Sequence, residues 1–174
     1  MNPHQVEALF AFQSPLSKGD LLADEVGLGK TIEAGLVISQ KWAERKRRIL
    51  IITPANLRQQ WHQELQEKFF LPCSILEARS YNESIKRGNL RPFEAKDSII
   101  LCSYQFARSK AVDVNGTQWD VVIIDEVHRL RNVYKPSNVI ANTLKLVLKD
   151  APKLLLTTTL AKILALVTTE DIRG

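Results

Sequence analysis

No apolar run in this 174-residue chain approaches the roughly 20 residues that a helix needs to cross a membrane, so a helical span is not expected. The opening Met1-Asn2-Pro3-His4-Gln5 lacks the basic segment followed by an apolar stretch that marks a secretory leader. There are only two cysteines, Cys73 and Cys102, without CxxC spacing and with three histidines in the whole chain. That scarcity argues against a disulfide framework or a zinc site, and the thiols are expected to be reduced core residues of a cytoplasmic protein. Internal repeats and low-complexity linkers are also missing. So is an Asn-Lys-x-Asp segment for reading guanine, which counts against a GTPase.

The composition that remains, 45% hydrophobic and 25% charged, is that of a soluble globular chain about one domain long. Twenty-four Lys and Arg against 19 Asp and Glu leave a net charge of +5, which suits a polyanionic partner without demanding one. The run Arg45-Lys46-Arg47-Arg48 reads first as a solvated turn and second as a phosphate contact.

Short, continuous apolar runs recur along the chain: Leu21–Ala23, Ile49–Ile52, Ser74–Leu76, Ile99–Cys102, Val121–Ile124 and Leu154–Leu156. Continuous rather than alternating apolarity is what strands covered on both faces require, as in a parallel sheet. Between them, Leu57, Trp61, Leu65 and Phe69 fall at steps of four along one side of a predicted helix. Asn56 is placed to cap that helix with Gln59 at its third position, and Glu64 and Lys68 form an i,i+4 pair. Pro136 is placed to open another helix that carries Ile140, Leu144, Val147 and Leu148 and stops before Pro152. Residues 78–97 hold Gly88, Pro92 and many charges and read as a loop or a small irregular helix. Alternating strands and helices predict a three-layer α/β domain with a mainly parallel central sheet.

Residues 21–38 read as a strand, a glycine-bearing turn and a helix: LLADEVGLGKTIEAGLVI. Phosphate binding needs this order. Gly27 and Gly29 let the backbone curl so that amides point inward at phosphate oxygens, and the helix adds the positive end of its dipole. Asp24, Glu25, Val26 and Leu28 complete the candidate loop, with Asp24 where phosphate loops of the G-x-x-x-x-G-K-[ST] type carry their first glycine. Lys30 is then positioned for the β- and γ-phosphates of ATP, and the Thr31 hydroxyl for Mg²⁺. Gly35, one turn further on, reads as a site of close helix packing.

The apolar run Val121–Ile124 passes directly into Asp125-Glu126-Val127-His128. Two acids at the end of a parallel strand stand at the carboxyl edge of the sheet, where open α/β folds bind ligands. Asp125 is the candidate for holding magnesium through its waters, and Glu126 for polarising the attacking water. His128 is open between a coupling role and a satisfied structural group.

Asp24-Glu25-Val26-Gly27-Leu28-Gly29-Lys30-Thr31 resembles the first motif of the SWI/SNF-type ATPases of helicase superfamily two, including the aspartate in place of glycine. Ile32-Glu33-Ala34-Gly35 is similar to its bacterial, RNA-polymerase-recycling branch, and Asp125–His128 corresponds to the second motif. The resemblance implies a RecA-like domain, with Gln5 in Pro3-His4-Gln5 reading adenine. It implies that the loop at Thr53-Pro54, running to Gln60-Trp61, and the segment at Ser103-Tyr104 touch a nucleic-acid backbone. Leu154–Thr157 leads into a third-motif position, but Thr158-Thr159-Leu160 departs from the family's Ala-Thr-Pro continuation, and Ala161–Gly174 is unlike it. Residues 1–174 are thus expected to be a single N-terminal RecA-like ATP-binding domain, without the second RecA-like domain whose arginines complete the site.

The function this implies is a DNA-dependent ATPase that translocates on double-stranded DNA, with RNA polymerase or another DNA-bound complex as a further partner and a cytoplasmic, nucleoid-associated setting. The alternative is a non-catalytic nucleotide- and DNA-binding fragment. A small-molecule kinase would keep the phosphate loop but leave Asp125–His128 unexplained.

Overall fold

The computed structural model describes residues 19–23, 30–125 and 139–157, with backbone alone at 19–23, 30 and 157. Six strands, β1 (Gly19–Ala23), β2 (Ile49–Thr53), β3 (Cys73–Ile75), β4 (Ile99–Ser103), β5 (Val121–Ile124) and β6 (Lys153–Thr157), form one sheet in the order β1-β6-β5-β2-β4-β3. Every neighbouring pair is parallel. All six apolar runs therefore contribute to strands, and for β2, β4, β5 and β6 the reason lies in two buried faces. Ile49, Ile51, Ile99, Leu101, Val121, Ile123, Leu154 and Leu156 point into one core. Leu50, Ile52, Ile100, Cys102, Val122 and Ile124, alternating with them, point into the other.

Helices cover both faces, giving three layers. On the first face lie α1 (Lys30–Ala43), which buries Ala34, Val37 and Ile38, and α2 (Arg58–Phe69), which buries Trp61 and Leu65. On the second lie the short helices α4 (Tyr104–Ser109) and α5 (Ala111–Gly116) and the longer α6 (Val139–Val147). They contribute Phe106, Ala107, Val114 and Leu144, alongside Phe93, Trp119 and Leu148. A further helix, α3 (Ala78–Lys86), packs Tyr81 against the same core. Cys73 and Cys102 are free and buried, and burial pushes each thiol up to about 12. No helix among the described residues is long and apolar enough to cross a membrane.

Two local expectations are refined. Asn56 does not cap α2: a 3₁₀ turn over Ala55–Leu57 precedes the helix, so its N-cap is Leu57, without a side-chain bond. The fixed φ of Pro54 starts that turn, which the Leu57 N–H closes on the Pro54 carbonyl at 2.9 Å. Asn56 thus falls inside the entry turn, and Gln59 is the second helical residue rather than the third. Second, of the two readings of residues 78–97, a loop or a small irregular helix, the helical one holds for Ala78–Lys86, which form the nine-residue α3. Its entry is tied by Ser80 Oγ, which accepts from the Glu77 N–H at 2.9 Å. The helices α4 and α5, six residues each, carry too few residues to show a helical period. The Glu64–Lys68 pair is present at 3.7 Å, whereas Pro136 lies outside the described residues.

Gly35 is a packing glycine. A methyl group built there would lie 2.2 Å from the Phe69 ring of α2, well inside contact distance. Alanine normally favours a helix by about 1 kcal/mol over glycine. Here overpacking, typically about 1–3 kcal/mol, should outweigh that gain. Gly35→Ala is accordingly expected to lower the urea midpoint, and a midpoint that rises would show that Phe69 swings aside without cost.

The basic run Arg45–Arg48 joins α1 to β2. Arg45 adopts a left-handed turn conformation at φ 65°, and Arg47 stacks on Trp42 with its guanidinium 4.0 Å from the ring centre. The run lies at the amino end of β2, on the edge opposite Asp125.

Candidate functional site

Because every strand is parallel, their carboxyl ends share one edge, and register fixes what meets there. Ile52 pairs with Ile124 of β5 and Cys102 of β4, and Thr53 pairs with Ser103. Asp125 extends this ladder by one residue, its N–H donating to the Ile52 carbonyl at 2.8 Å. Asp125, Thr53 and Ser103 therefore stand in a row across three adjacent strands.

Asp125 is only 2% exposed. Its Oδ2 accepts from the Thr53 hydroxyl at 3.2 Å and from the Trp61 indole Nε1 at 2.8 Å. The Tyr104 hydroxyl donates to its backbone carbonyl. Hydrogen bonds thus hold Asp125 at its N–H, its C=O and Oδ2, using β2, α2 and the start of α4. A buried carboxylate needs such partners, because burying a charged group without them is expensive.

The strand register also relates Asp125 to the start of α1. Leu155 of β6 pairs with Leu21 of β1 and with Ile124 of β5, so Asp125 is level with Leu22, near the end of β1. Two strand spacings separate them, about 10 Å. From β1 the chain reaches Lys30, the first residue of α1, followed by the half-buried Thr31. The carboxyl end of β1, which precedes α1 in the chain, and Asp125 thus belong to the same edge.

Among the candidate site residues, Lys30, Thr31, Asp125, Thr53, Pro54, Ser103 and Tyr104 fall within the described part of the chain. Gln5, Asp24, Glu25, Val26, Gly27, Leu28, Gly29, Glu126 and His128 lie outside it. Thr53 is fully buried, and Pro54 is buried behind it. Ser103 is 9% exposed, its Oγ accepting from the Phe106 N–H at 3.1 Å to cap α4. Trp61 reads in the sequence as one more member of a buried helical stripe. The available signal is that a buried indole N–H needs an acceptor, and here the acceptor is 64 residues downstream.

Among the described residues no group of three or more His, Cys, Asp or Glu side chains comes together. One carboxylate at a ligand-binding edge matches how Mg²⁺ is usually bound, through one or two carboxylates with waters and phosphate oxygens supplying the rest.

A parallel sheet between two helical layers, with an acid at the carboxyl end of a central strand, is the architecture of a RecA-like domain. The chain belongs to the SNF2-related domain family, whose model matches residues 4–161. Among curated proteins it is 38% identical over 132 residues to the RNA polymerase-associated protein RapA of Serratia proteamaculans (strain 568), and 38% identical to that of Pectobacterium atrosepticum. Each match covers 74% of this chain, which spans 13% of the length of those relatives. Among solved structures, the Sulfolobus solfataricus SWI2/SNF2 ATPase core in complex with dsDNA matches with a TM-score of 0.67 and 23% identity. That match covers 90% of this chain and 31% of the other, and it supports the fold.

Proposed function

We propose that the chain is the first RecA-like domain of a DNA-dependent ATPase and binds ATP with Mg²⁺. The observation that carries the reading is Asp125, buried and held at the carboxyl edge, level with the strand that leads into Asp24–Thr31. In this assignment Asp24–Gly29 curl around the phosphates, Lys30 meets the terminal ones and Gln5 reads the adenine. Thr31 and Asp125 hold the metal side, and Glu126 orients the attacking water. Bound magnesium would draw off charge from the transferring phosphoryl group.

Double-stranded DNA is the proposed track. The resemblance points to the segments at Thr53-Pro54 and Ser103-Tyr104. Because Thr53 and Pro54 are buried, strand contact there falls to the exposed residues that follow, Ala55, Asn56, Gln59 and Gln60. After Ser103 it falls to half-exposed Tyr104 and exposed Gln105. The solved neighbour is a complex with double-stranded DNA, and the RapA relatives are RNA polymerase-associated. Both favour a DNA-bound role for the intact protein, with RNA polymerase as a partner.

The test is a nucleotide titration. Charge-assisted hydrogen bonds such as Lys30 would make to phosphate are worth roughly 1.5–3 kcal/mol, so Lys30→Ala should weaken magnesium-ATP binding about ten- to a hundredfold. Equal affinity in wild type and variant would remove the assignment.

A further inference from the structure

We infer that Trp61 is a positioning residue for the nucleotide site: its indole N–H sets the orientation of the Asp125 carboxylate and thereby the site's affinity for magnesium. The inference rests on the proposed role of Asp125 at the metal side and adds a residue on another element. Trp61 is 2% exposed and lies one turn into α2, and its Nε1 reaches Asp125 Oδ2 at 2.8 Å. Trp119 provides the internal contrast. It too is buried, but its indole donates to a backbone carbonyl five residues away, Val114, at 3.0 Å. A buried tryptophan in this domain can thus be satisfied locally. Trp61 instead spans from the helical layer to the edge of the sheet.

Two donors on the same oxygen set the carboxylate plane. Thr53 supplies one from the neighbouring strand, whose register is locked by the ladder. Trp61 supplies the other from a helix entered through the turn after buried Pro54, whose exposed Ala55 and Asn56 are among the residues proposed to meet DNA. Tilting or sliding α2 would move the indole relative to the sheet, so Trp61 makes the carboxylate sensitive to the position of that helix. Hydrogen-bonding partners behind a metal ligand typically matter by about 10–100-fold in metal affinity.

The experiment measures binding of a fluorescent ATP analogue as free Mg²⁺ is varied, with EDTA as the metal-free arm. Two variants are compared with wild type: Trp61→Phe, and the chain carrying benzothienylalanine at position 61, which keeps the fused-ring shape and has sulfur in place of N–H. The second keeps the test decisive if phenylalanine fails to support folding, as judged by circular dichroism. The expected result is about a 10–100-fold higher Mg²⁺ concentration for half-maximal binding, with metal-free nucleotide affinity unchanged. An unshifted Mg²⁺ midpoint overturns the inference. So does an equal loss with and without metal, which would make Trp61 a packing residue only. If wild type itself shows no magnesium-dependent binding, the nucleotide reading and this inference both fall.

Discussion

Asp125→Ala and Asp125→Asn are expected to fail in different ways. Alanine removes the acceptor shared by the Thr53 hydroxyl and the Trp61 indole, both inside the domain. A buried donor left without a partner costs about 1–3 kcal/mol, so two should cost about 2–6 kcal/mol of stability. For a domain of this size that is large, of the order of the total margin that keeps proteins folded. Asparagine keeps an oxygen where Oδ2 lies and retains both bonds in neutral form, so its stability loss should be about 1 kcal/mol. The nucleotide readout reverses the emphasis: asparagine lacks the charge and should lose magnesium-dependent ATP binding even though it folds. Chemical denaturation and a magnesium titration on the same samples separate the two effects. Alanine as stable as asparagine would show that the two bonds carry little energy. Asparagine with an unaltered magnesium dependence would remove Asp125 from the metal side.

That contrast also marks what residue order could reveal. The strands were legible because each run is apolar at consecutive positions, the pattern that a sheet covered on both faces requires and that β2, β4, β5 and β6 display. The Asp-Glu pair after Val121–Ile124 was expected at the carboxyl edge because it follows such a run, and Asp125 stands there, directly after β5. The α2 stripe was legible too, since Trp61 and Leu65 repeat at the helical period and are both buried. What periodicity cannot report is a hydrogen bond made across the fold. Trp61 and Thr53 reach Asp125 across 64 and 72 residues of chain, a pairing that exists only once β2 lies beside β5. The helix α3 stayed open between a loop and a small helix for another reason. Its nine residues, ARSYNESIK, are mostly polar, and its entry depends on a bond between the Glu77 N–H and Ser80 rather than on a familiar capping residue. At α2 the capping pattern misled because Pro54 begins a 3₁₀ turn one step earlier.

The largest expected effect is on turnover. Phosphoryl transfer needs the nucleotide positioned, magnesium held, the attacking water oriented and the transition-state charge met by an arginine. In the proposed assignment this chain provides the first three, through Gly27–Thr31, Asp125 and Glu126. The family resemblance assigns the arginines to a second RecA-like domain. An arginine finger is worth about 10³–10⁵ in rate in phosphate-loop enzymes. These 174 residues alone should therefore bind magnesium-ATP yet hydrolyse it barely above background, with or without DNA. Supplying a second RecA-like domain, fused or in trans, should raise turnover by about that factor. In the two-domain protein, Glu126→Gln should keep ATP affinity and lose turnover, because it preserves shape while removing the base. Phosphate release measured beside nucleotide binding distinguishes the cases. Brisk DNA-stimulated hydrolysis by the single domain would overturn the division of the site between two domains, and full activity in the two-domain Glu126→Gln protein would overturn the role of Glu126.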